Sequence, residues 1–231
     1  MEKFKKFFDK NTVDLVEIFH SIDGEGKRAG ELVTFIRLAG CNLKCTYCDT
    51  LYAQNESSGT PTLINELAML AKAHGGDKVT LTGGEPLAHR NVLSLINKLV
   101  QLEVEVNVET NGSIDVYEAK KLFEGTSSFL TVDVKSPSSG MVDHNNLHNL
   151  YILDEKDVVK FVVGSKEDLK YMVDVMKPFE FNPAFQWYIS PVFGQIEPAE
   201  IVDYMKEERL HNAKLQLQMH KFIWDPNAKG V

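Results

Sequence analysis

Three cysteines lie in one short stretch of the sequence, at Cys41, Cys45 and Cys48, and the chain of 231 residues contains no others. Their spacing is C-x3-C-x2-C. Three thiolates can hold three corners of a cubane iron–sulfur cluster, whose usual ligand set is four cysteines. The fourth iron is then open to a ligand that is not protein. From the spacing alone, a zinc site completed by a histidine and a group of thiols without metal remain alternatives.

The totals of the sequence limit the classes of function. A net charge of -8 argues against a broad nucleic-acid-binding face, which needs a basic patch, but it is compatible with a small anionic substrate. No apolar stretch approaches the length of a membrane span. Asp9, Asp14 and Glu17 interrupt the apolar residues near the N-terminus, so no signal-peptide core forms. An odd number of clustered cysteines is not typical of a disulfide framework, and the sequence predicts a protein of the reducing cytoplasm.

Strands and helices alternate along the chain, and this order predicts how the cysteines are held. A repeated strand–helix–strand order calls for a mostly parallel sheet with crossover helices. Since a full eight-unit barrel needs about 250 residues, we expect an α/β fold, a partial (open) βα barrel of six to seven mostly parallel strands, in a single domain over residues 1–231. The predicted strands are Val13–Phe19, Leu32–Leu38, Lys78–Thr82, Val104–Val108, Phe129–Lys135, Val158–Val163, Phe185–Ile189 and Leu215–Met219.

The helices are predicted from their caps and from apolar periodicity. Thr60-Pro61 resembles an N-cap followed by a proline at the first helical position, so we expect a helix from there to Gly75-Gly76. Ser165 and Asp168 resemble a capping box at the start of another helix. Further helices are expected at Val92–Leu99, Ser113–Glu124 and Pro198–Leu210, and a loop with a short helix is expected over residues 136–157.

Polar turns, most of them containing glycine, follow several of the predicted strands. The carboxyl ends of parallel strands share one edge of a sheet or one mouth of a barrel, and functional sites lie there. We therefore expect these turns to converge with the cysteines, which follow the strand Leu32–Leu38. The turns are Gly83-Gly84-Glu85-Pro86, Glu109-Thr110-Asn111-Gly112, Ser136-Pro137-Ser138-Ser139-Gly140 and Ser190-Pro191-Val192-Phe193-Gly194.

Two of these motifs resemble those of the radical S-adenosylmethionine (SAM) superfamily. The cysteine stretch, with Tyr47 before its last cysteine, is similar to the cluster motif, and Thr82-Gly83-Gly84-Glu85-Pro86 is similar to the SAM-binding motif. Within the superfamily, the chain resembles the 7-carboxy-7-deazaguanine synthases. The residues that carry this narrower resemblance are Asp23-Gly24-Glu25-Gly26, residues 35–43, Cys48-Asp49-Thr50, and a tail with Gln218-Met219-His220-Lys221, Trp224 and Gly230-Val231.

The resemblance implies an enzyme that converts 6-carboxy-5,6,7,8-tetrahydropterin to 7-carboxy-7-deazaguanine with loss of ammonia, on the route to queuosine. The implied cofactors are a [4Fe–4S] cluster, SAM and Mg²⁺. Reduction of the cluster cleaves SAM to methionine and a 5′-deoxyadenosyl radical, which abstracts a substrate hydrogen; the cofactors carry this chemistry and the protein orients them. A flavodoxin or ferredoxin is implied as the electron donor, and a homodimer is implied as the assembly.

The resemblance also implies which residues form the site. The cysteines hold the cluster, Thr50 is a ligand to Mg²⁺, and the planar fork of Arg37 suits the pterin carboxylate. The residues implied to bind SAM are Tyr47, Asp49, Gly83, Gly84, Glu85, Asn111, Lys135, Ser136, Pro137 and Ser190. The residues implied to bind the substrate, some of them on an N-terminal segment of about residues 13–31, are Ile22, Asp23, Gly24, Glu25, Arg37, Thr82, His220 and Val231.

Other interpretations of the same residues stay open. Arg37 lies in a predicted strand and could pair with a structural carboxylate. Asp23 stands where the family usually has glutamine, and an ionised carboxylate only accepts hydrogen bonds. A small radical SAM activase of a glycyl-radical enzyme shares the cysteine spacing, and a zinc- or cluster-binding interaction module is a non-enzymatic alternative.

Overall fold

The computed structural model describes residues 11–179, 184–226 and 228–231, and the rest of the predicted domain lies outside the described residues. The strands are β1 (Thr12–Ile22), β2 (Leu32–Leu38), β3 (Thr60–Leu63), β4 (Lys78–Gly83), β5 (Glu105–Thr110), β6 (Phe129–Val134), β7 (Val158–Val163), β8 (Gln186–Pro191) and β9 (Ala213–Leu215). They form one open sheet of 9 strands in the order β3-β1-β2-β4-β5-β6-β7-β8-β9. The predicted α/β fold with an open, mostly parallel sheet is confirmed. The sheet has more strands than the six to seven predicted. Strand β1 is antiparallel to both β2 and β3, and β3 was not predicted as a strand.

Helices α1 to α5 connect the strands of the sheet and bury apolar side chains against it, whereas the short α6 follows the last strand and has no buried residue. Leu67, Leu95 and Leu169 are fully buried examples from three of them. No helix of the described part of the chain is long and apolar enough to cross a membrane. The helices are α1 (Ile64–Gly75), α2 (Val92–Gln101), α3 (Tyr117–Leu122), α4 (Lys166–Met176), α5 (Pro198–Glu207) and α6 (His220–Ile223).

The capping box predicted at the start of α4 is confirmed. The Ser165 hydroxyl accepts a hydrogen bond from the backbone N–H of Asp168 at 3.2 Å, and the Asp168 carboxylate accepts from the backbone N–H of Ser165 at 3.1 Å. The same carboxylate also accepts from the backbone N–H of Ser138 at 2.8 Å. The cap therefore also fixes the turn that follows β6.

The predicted helix start at Thr60-Pro61 is wrong, because these residues form β3. Residues Thr60–Leu63 pair antiparallel with Thr12–Leu15 at the edge of the sheet. A proline is tolerated in an edge strand, where its missing N–H costs no ladder hydrogen bond. The helix begins only at Ile64, so the local N-cap pattern was overridden by strand pairing with a distant segment.

Several other predicted boundaries are corrected by local contacts. Helix α3 is shorter than the predicted Ser113–Glu124, because the Asp115 carboxylate accepts from the backbone N–H of Tyr117 and ends the preceding turn there. Helix α5 ends before the predicted Leu210, close to Arg209, whose φ is +55°. The single short helix expected within residues 136–157 is replaced by 3₁₀ turns at Pro137–Ser139, Val142–His144 and Leu147–Ile152.

The last strand is also displaced from its predicted position at Leu215–Met219. Strand β9 ends at Leu215, because the Gln216 side chain bonds both the N–H and the C=O of Gly26, at 2.6 and 2.9 Å. The backbone N–H of Met219 then donates to Gly24 C=O at 3.0 Å. The chain after Leu215 therefore leaves the sheet and fastens the loop between β1 and β2.

The ends of β2 and β4 approach each other through glycine. The N–H of Gly84 donates to Leu38 C=O at 3.0 Å, and the N–H of Glu85 donates to Gly40 C=O at 2.7 Å. A Cβ atom on Gly84 would lie well inside van der Waals contact of the Gly40 carbonyl, and a Cβ on Gly83 would do the same with Leu38. These two glycines are therefore required by contact between two backbone segments, one of which leads into the cysteines.

We expect Gly84→Ala to lower the free energy of unfolding by about 3 kcal/mol, because the clash is with backbone and no rotamer relieves it. The control is Gly125→Ala, which has a φ of +70° but nothing within 4 Å of the added Cβ. It should cost only about 1 kcal/mol, for the left-handed backbone. Urea denaturation under reducing conditions measures both, and equal losses would contradict the steric explanation.

Candidate active site

The site is a cleft of about 910 Å³ on the face of the sheet opposite the crossover helices α1 to α5. Successive side chains of a strand point to opposite faces, so every second residue can enter the cleft while its neighbours join the core. Strands β2, β6 and β7 follow this rule. Their cleft residues are Phe35, Arg37, Thr131, Asp133, Lys160 and Val162. Their core residues include Ile36, Leu130, Val132, Val159 and Phe161.

The loop that carries the cysteines is held by backbone hydrogen bonds on both sides. The N–H of Gly40 donates to Ala53 C=O at 2.8 Å, and the N–H of Cys41 donates to Gln54 C=O at 2.9 Å. On the other side, the N–H of Thr46 donates to Ser139 C=O at 3.0 Å. The loop is thus tied to the turn after β6, as the convergence of strand ends predicts.

The three thiols are free and partly exposed, which suits a bound cluster. Burial raises the pKa of Cys41 and Cys45 in the protein without metal, and the Lys135 ammonium opposes this rise at both thiols. The Asn111 amide lies 3.8 Å from the Cys41 sulfur. A cation and an amide donor next to the sulfurs stabilise thiolate charge, so the donor set fits a [4Fe–4S] cluster.

The glycine turn after β4 places Gly83 and Gly84 on the cleft wall, but Glu85 lies behind it. The Glu85 carboxylate is buried and accepts hydrogen bonds from the Leu87 N–H, the Thr110 hydroxyl and the Asn111 N–H at 2.6 to 2.9 Å. Burial raises the pKa of Glu85. In this structure the carboxylate orders the turns after β4 and β5, and its contact with the SAM ammonium stays a prediction.

Two buried polar atoms near the end of β6 have no hydrogen-bond partner among the described residues. They are Ser136 Oγ and Asp133 Oδ1. Buried polar atoms in proteins are rarely unsatisfied, and each exception calls for an explanation such as a ligand. Asp133 lines the cleft beside Lys135, so its unpartnered oxygen fits a site that holds a polar cofactor such as SAM, whereas Ser136 is buried outside the cleft lining.

Most of the predicted site residues meet in this one cleft. Those that line it are Ile22, Asp23, Gly24, Glu25, Arg37, Cys45, Tyr47, Cys48, Asp49, Thr50, Thr82, Gly83, Gly84, Asn111, Lys135, His220 and Val231. The predicted residues outside its lining are Cys41, Glu85, Ser136, Pro137 and Ser190. Ser190 is fully buried, and its hydroxyl donates to Glu25 at 2.7 Å, which assigns it a contact other than the predicted one with SAM.

Glu25 is held from two sides. Lys160 Nζ lies 3.2 Å from Glu25 Oε2, and the Ser190 hydroxyl bonds Glu25 Oε1. Burial would raise the pKa of Glu25, but Lys160, Ser190 and the nearby His220 lower it below its ordinary value. Glu25 is therefore an anion in the cleft, ready to accept hydrogen bonds from a ligand.

Asp23 is paired with a buried arginine that the sequence did not single out. Arg28 Nε lies 3.1 Å from Asp23 Oδ2, and the Thr80 hydroxyl donates to the same oxygen at 3.0 Å. Arg28 also lies 3.4 Å from Glu105 and donates to the backbone of Val79 at 3.1 Å. This network holds the loop between β1 and β2 against the start of β4 and β5.

Arg37 lines the cleft and pairs with a protein carboxylate, so the structural interpretation of this residue is confirmed for its Nε, while its contact with the pterin carboxylate stays a prediction. Its Nε lies 2.7 Å from Glu17 Oε1, and the Tyr52 hydroxyl donates to the same oxygen at 2.7 Å. The guanidinium carbon lies 6.0 Å from the Phe19 ring centroid and 5.9 Å from that of Tyr52. Glu17 and the rings fix the guanidinium plane, and only Nε is used by the ion pair.

The segment after β9 forms the remaining wall. The His220 ring lies against the backbone of Gly24, and burial lowers the pKa of His220. Lys221 Nζ lies 3.6 Å from Asp49 Oδ2. Lys229 Nζ lies 4.3 Å from the Tyr52 ring centroid. These contacts connect the segment to the loops on both sides of β2.

Thr50 follows the cysteines and lines the cleft, and its hydroxyl donates to Asp49 Oδ1 at 2.9 Å. The hydroxyl faces a cleft in which a ligand and water can complete a coordination shell. Within the described residues, no group of three or more His, Cys, Asp or Glu side chains is arranged to hold a single metal ion, and this includes the three cysteines, which in a cluster would each bind a different iron. The role of Thr50 toward Mg²⁺ stays a prediction.

Sequence reasoning found Arg37 and Thr82 but missed other cleft residues that lie within strands, among them Lys160. A usable signal was present, because Lys160 interrupts the apolar strand Val158–Val163. Thr131 and Asp133 alternate with apolar residues in β6 in the same way. Polar residues at every second position of a buried parallel strand indicate a face that meets something other than the core.

Comparison with protein families connects this cleft to known proteins. A family model described as the Radical SAM superfamily matches residues 35–175. A 7-carboxy-7-deazaguanine synthase of Clostridium acetobutylicum is 46% identical over 94% of this chain and 98% of its own length. A synthase of the same name from Chlorobaculum tepidum is 35% identical over 95% of this chain and 97% of its own length. Another from Methanospirillum hungatei is 38% identical over 92% of this chain and 86% of its own length.

Solved structures show the same fold. The crystal structure of QueE from Escherichia coli has a TM-score of 0.71 and 21% identity, and the match covers 90% of this chain and 95% of that one. Streptococcus suis SuiB bound to S-adenosylmethionine has a TM-score of 0.56 and 13% identity over 77% of this chain and 47% of that one. At these identities the likeness concerns the fold.

The Asp23 carboxylate should make stability depend on pH. Burial, and then the negative charge of Glu109, raise the pKa of Asp23 from 3.8 to about 6, although Arg28 opposes them. The folded state therefore holds the proton more tightly than the unfolded state. The contribution of the protonated Asp23 to the free energy of unfolding is fully present below about pH 4 and is lost as the pH rises through about 6.

We expect the free energy of unfolding of the wild type to fall by about 2 kcal/mol relative to Asp23→Asn between about pH 4 and 7. Urea denaturation across this range measures the difference. Asp174→Asn is the control, because the Lys177 hydrogen bond lowers the pKa of Asp174 and moves its titration below this window. A wild type and an Asp23→Asn variant with parallel pH profiles would show that Asp23 does not titrate there.

Proposed function

This chain belongs to the 7-carboxy-7-deazaguanine synthase family of the radical SAM superfamily, and we propose that it converts 6-carboxy-5,6,7,8-tetrahydropterin to 7-carboxy-7-deazaguanine with loss of ammonia. The observation that carries the proposal is the shared cleft. The cysteine loop and the glycine turn line it together with Arg37 and Glu25. The similarity to the named synthases extends over nearly the whole chain, which a glycyl-radical activase would not explain.

The [4Fe–4S] cluster and SAM belong to this family, and when bound they supply the radical that starts the reaction. The protein orients them. We assign Cys41, Cys45 and Cys48 to three corners of the cluster. Gly83 and Gly84 leave the backbone open beside the cysteine loop, and the unpartnered Oδ1 of Asp133 in the cleft is available for a polar group of SAM.

Arg37 and Glu25 hold the two ends of the substrate. Glu17 uses only Nε of Arg37, so the terminal nitrogens can form the bidentate fork that binds a carboxylate. Glu25 is an acceptor for the amino and ring N–H groups of the pterin. The stacked rings of Phe19 and Phe35, whose centroids are 4.8 Å apart, line the cleft beside Arg37 and offer an apolar surface for a flat ring.

We assign Mg²⁺ to the Thr50 hydroxyl, together with water and the substrate carboxylate. Mg²⁺ prefers hard oxygen ligands and keeps several waters, so a single protein hydroxyl is a sufficient anchor when the substrate supplies another ligand. The Asp49 carboxylate, bonded to the same hydroxyl, orients it.

The electron donor we propose is a flavodoxin or ferredoxin, acting in the reducing cytoplasm, where the thiols stay free. We also propose a homodimer. Large apolar side chains near the mouth of the cleft are exposed, and the rings of Phe193 and Phe222 lie 6.2 Å apart there. Exposed apolar groups of this kind mark interaction surfaces.

The function is tested by anaerobic reconstitution with iron and sulfide, followed by addition of a reductant, SAM and the carboxylated pterin. We expect 5′-deoxyadenosine and the carboxylated deazaguanine as products. The same assay without Mg²⁺, and with Thr50→Ala, tests the metal separately. Cleavage of SAM without the deazaguanine product would favour another radical SAM activity. If SAM is not cleaved under any condition, both the synthase and the alternative radical SAM activity are excluded.

Arg37→Ala should weaken binding of the carboxylated pterin by about 10- to 100-fold, because a charge-assisted bidentate contact is lost. SAM binding by the reconstituted protein should be unchanged. Arg37→Lys is the matched control, since it keeps the charge without the fork and should recover only part of the affinity. Anaerobic titration calorimetry measures both ligands, and unchanged pterin affinity in Arg37→Ala would refute the carboxylate assignment.

A further inference from the structure

We infer that Lys160 is a positioning residue that sets the charge and the orientation of Glu25, so that Glu25 binds the substrate as a carboxylate across the neutral pH range. Lys160 was not among the residues that the motifs indicated. The inference rests on the proposed function, because it names the group that prepares a proposed substrate-binding residue.

The geometry leaves Glu25 little freedom to move. Lys160 on β7 contacts Oε2 at 3.2 Å, and Ser190 on β8 contacts Oε1 at 2.7 Å, so each carboxylate oxygen has its own partner. The adjacent backbone of Gly26 is held by the side chain of Gln216 on both its N–H and its C=O. Because each carboxylate oxygen has two lone pairs, one acceptor position on each remains for a ligand.

The electrostatics explain why a cation is needed at this position. Burial opposes the ionised form of Glu25, and the largest opposing contribution is the charge of Lys160. Lys160 itself keeps its proton, because Glu25 and other carboxylates raise its pKa against the effect of burial. The ammonium is therefore a fixed charge and a poor proton donor. The other charged or titratable groups around the pair are Asp49, Glu109, Asp133, Lys135 and His220.

A purely structural role does not account for this pair. Replacement of a buried ion pair by apolar groups is often neutral or stabilising, so burial of two charges is weak evidence for a contribution to stability. Both residues line the cleft, and Lys160 occupies a cleft-facing position between the core residues Val159 and Phe161 of β7. The position of the pair fits ligand binding.

The test is the pH dependence of pterin binding in Lys160→Met. The reconstituted protein with SAM bound, and without reductant so that no turnover occurs, is titrated anaerobically with 6-carboxy-5,6,7,8-tetrahydropterin. The ratio of the Kd of the variant to that of the wild type cancels the titration of the ligand itself. Without Lys160, burial should raise the pKa of Glu25, so this ratio should fall as the pH rises, by up to about tenfold per pH unit while Glu25 titrates.

Three further variants separate a charge effect from a folding effect. Lys160→Arg should restore a ratio that is independent of pH. Lys160→Gln, which is uncharged but keeps a donor, should show the same slope as Lys160→Met, so a folding defect in one variant does not decide the result. Lys214→Met changes the net charge equally at the outer edge of β8 and β9, where Lys214 pairs with Gln186, and it should show no slope.

Each outcome of the titration has one meaning. A wild type that binds SAM but not the pterin would overturn the proposed function, and the inference with it. A wild type that binds the pterin, together with a flat ratio for both Lys160→Met and Lys160→Gln, would overturn the inference alone. If the Kd ratio still depends on pH in the double variant Glu25→Gln/Lys160→Met, a group other than Glu25 titrates, and this would also overturn the inference.

Discussion

The close contact between the backbones at the ends of β2 and β4 is the constraint on which the site depends. Gly84 lies against Gly40 at a distance that admits no side chain, and the hydrogen bonds from Gly84 and Glu85 join the two strand ends. The cysteine loop begins at the next residue after Gly40, so its position relative to the glycine turn is set by main-chain geometry. A cofactor that touches both segments therefore meets a preformed surface, which reduces the entropy that binding has to overcome.

The same sheet builds the core and the site from alternate residues of the same strands. Apolar side chains of β6 and β7 enter the core, and Asp133, Lys135 and Lys160 near them form a charged floor with Glu25. Charges of both signs alternate there, so each is compensated although it is largely removed from water. The cleft can then bind a ligand with an anionic end and several N–H groups without a large net charge of its own.

The sequence motifs indicated residues that meet in the cleft, and all eight predicted substrate residues line it, but the motifs did not indicate the partners of those residues. The cysteines and the glycine turn are local patterns, and their positions at strand ends followed from the alternation of strands and helices. The partners of the substrate residues are distant in sequence: Glu25 meets Lys160, and Asp23 meets Thr80. Such pairs depend on strand order and register, which periodicity does not provide. The error at Thr60-Pro61 has the same origin, because pairing with β1 outweighed a local helix signal.

The sheet is open, so one wall of the cleft consists of the segment after β9 instead of a further strand. That wall is joined to the loops on both sides of β2 by a few contacts, among them the hydrogen bond from Met219 to Gly24 and the Lys221–Asp49 pair. Segments with few buried apolar contacts open at a small fraction of the global unfolding free energy. Opening of this wall is therefore expected to cost less free energy than disruption of the cysteine loop or the parallel strands, so that local opening at the cleft and the stability of the fold are set by different contacts.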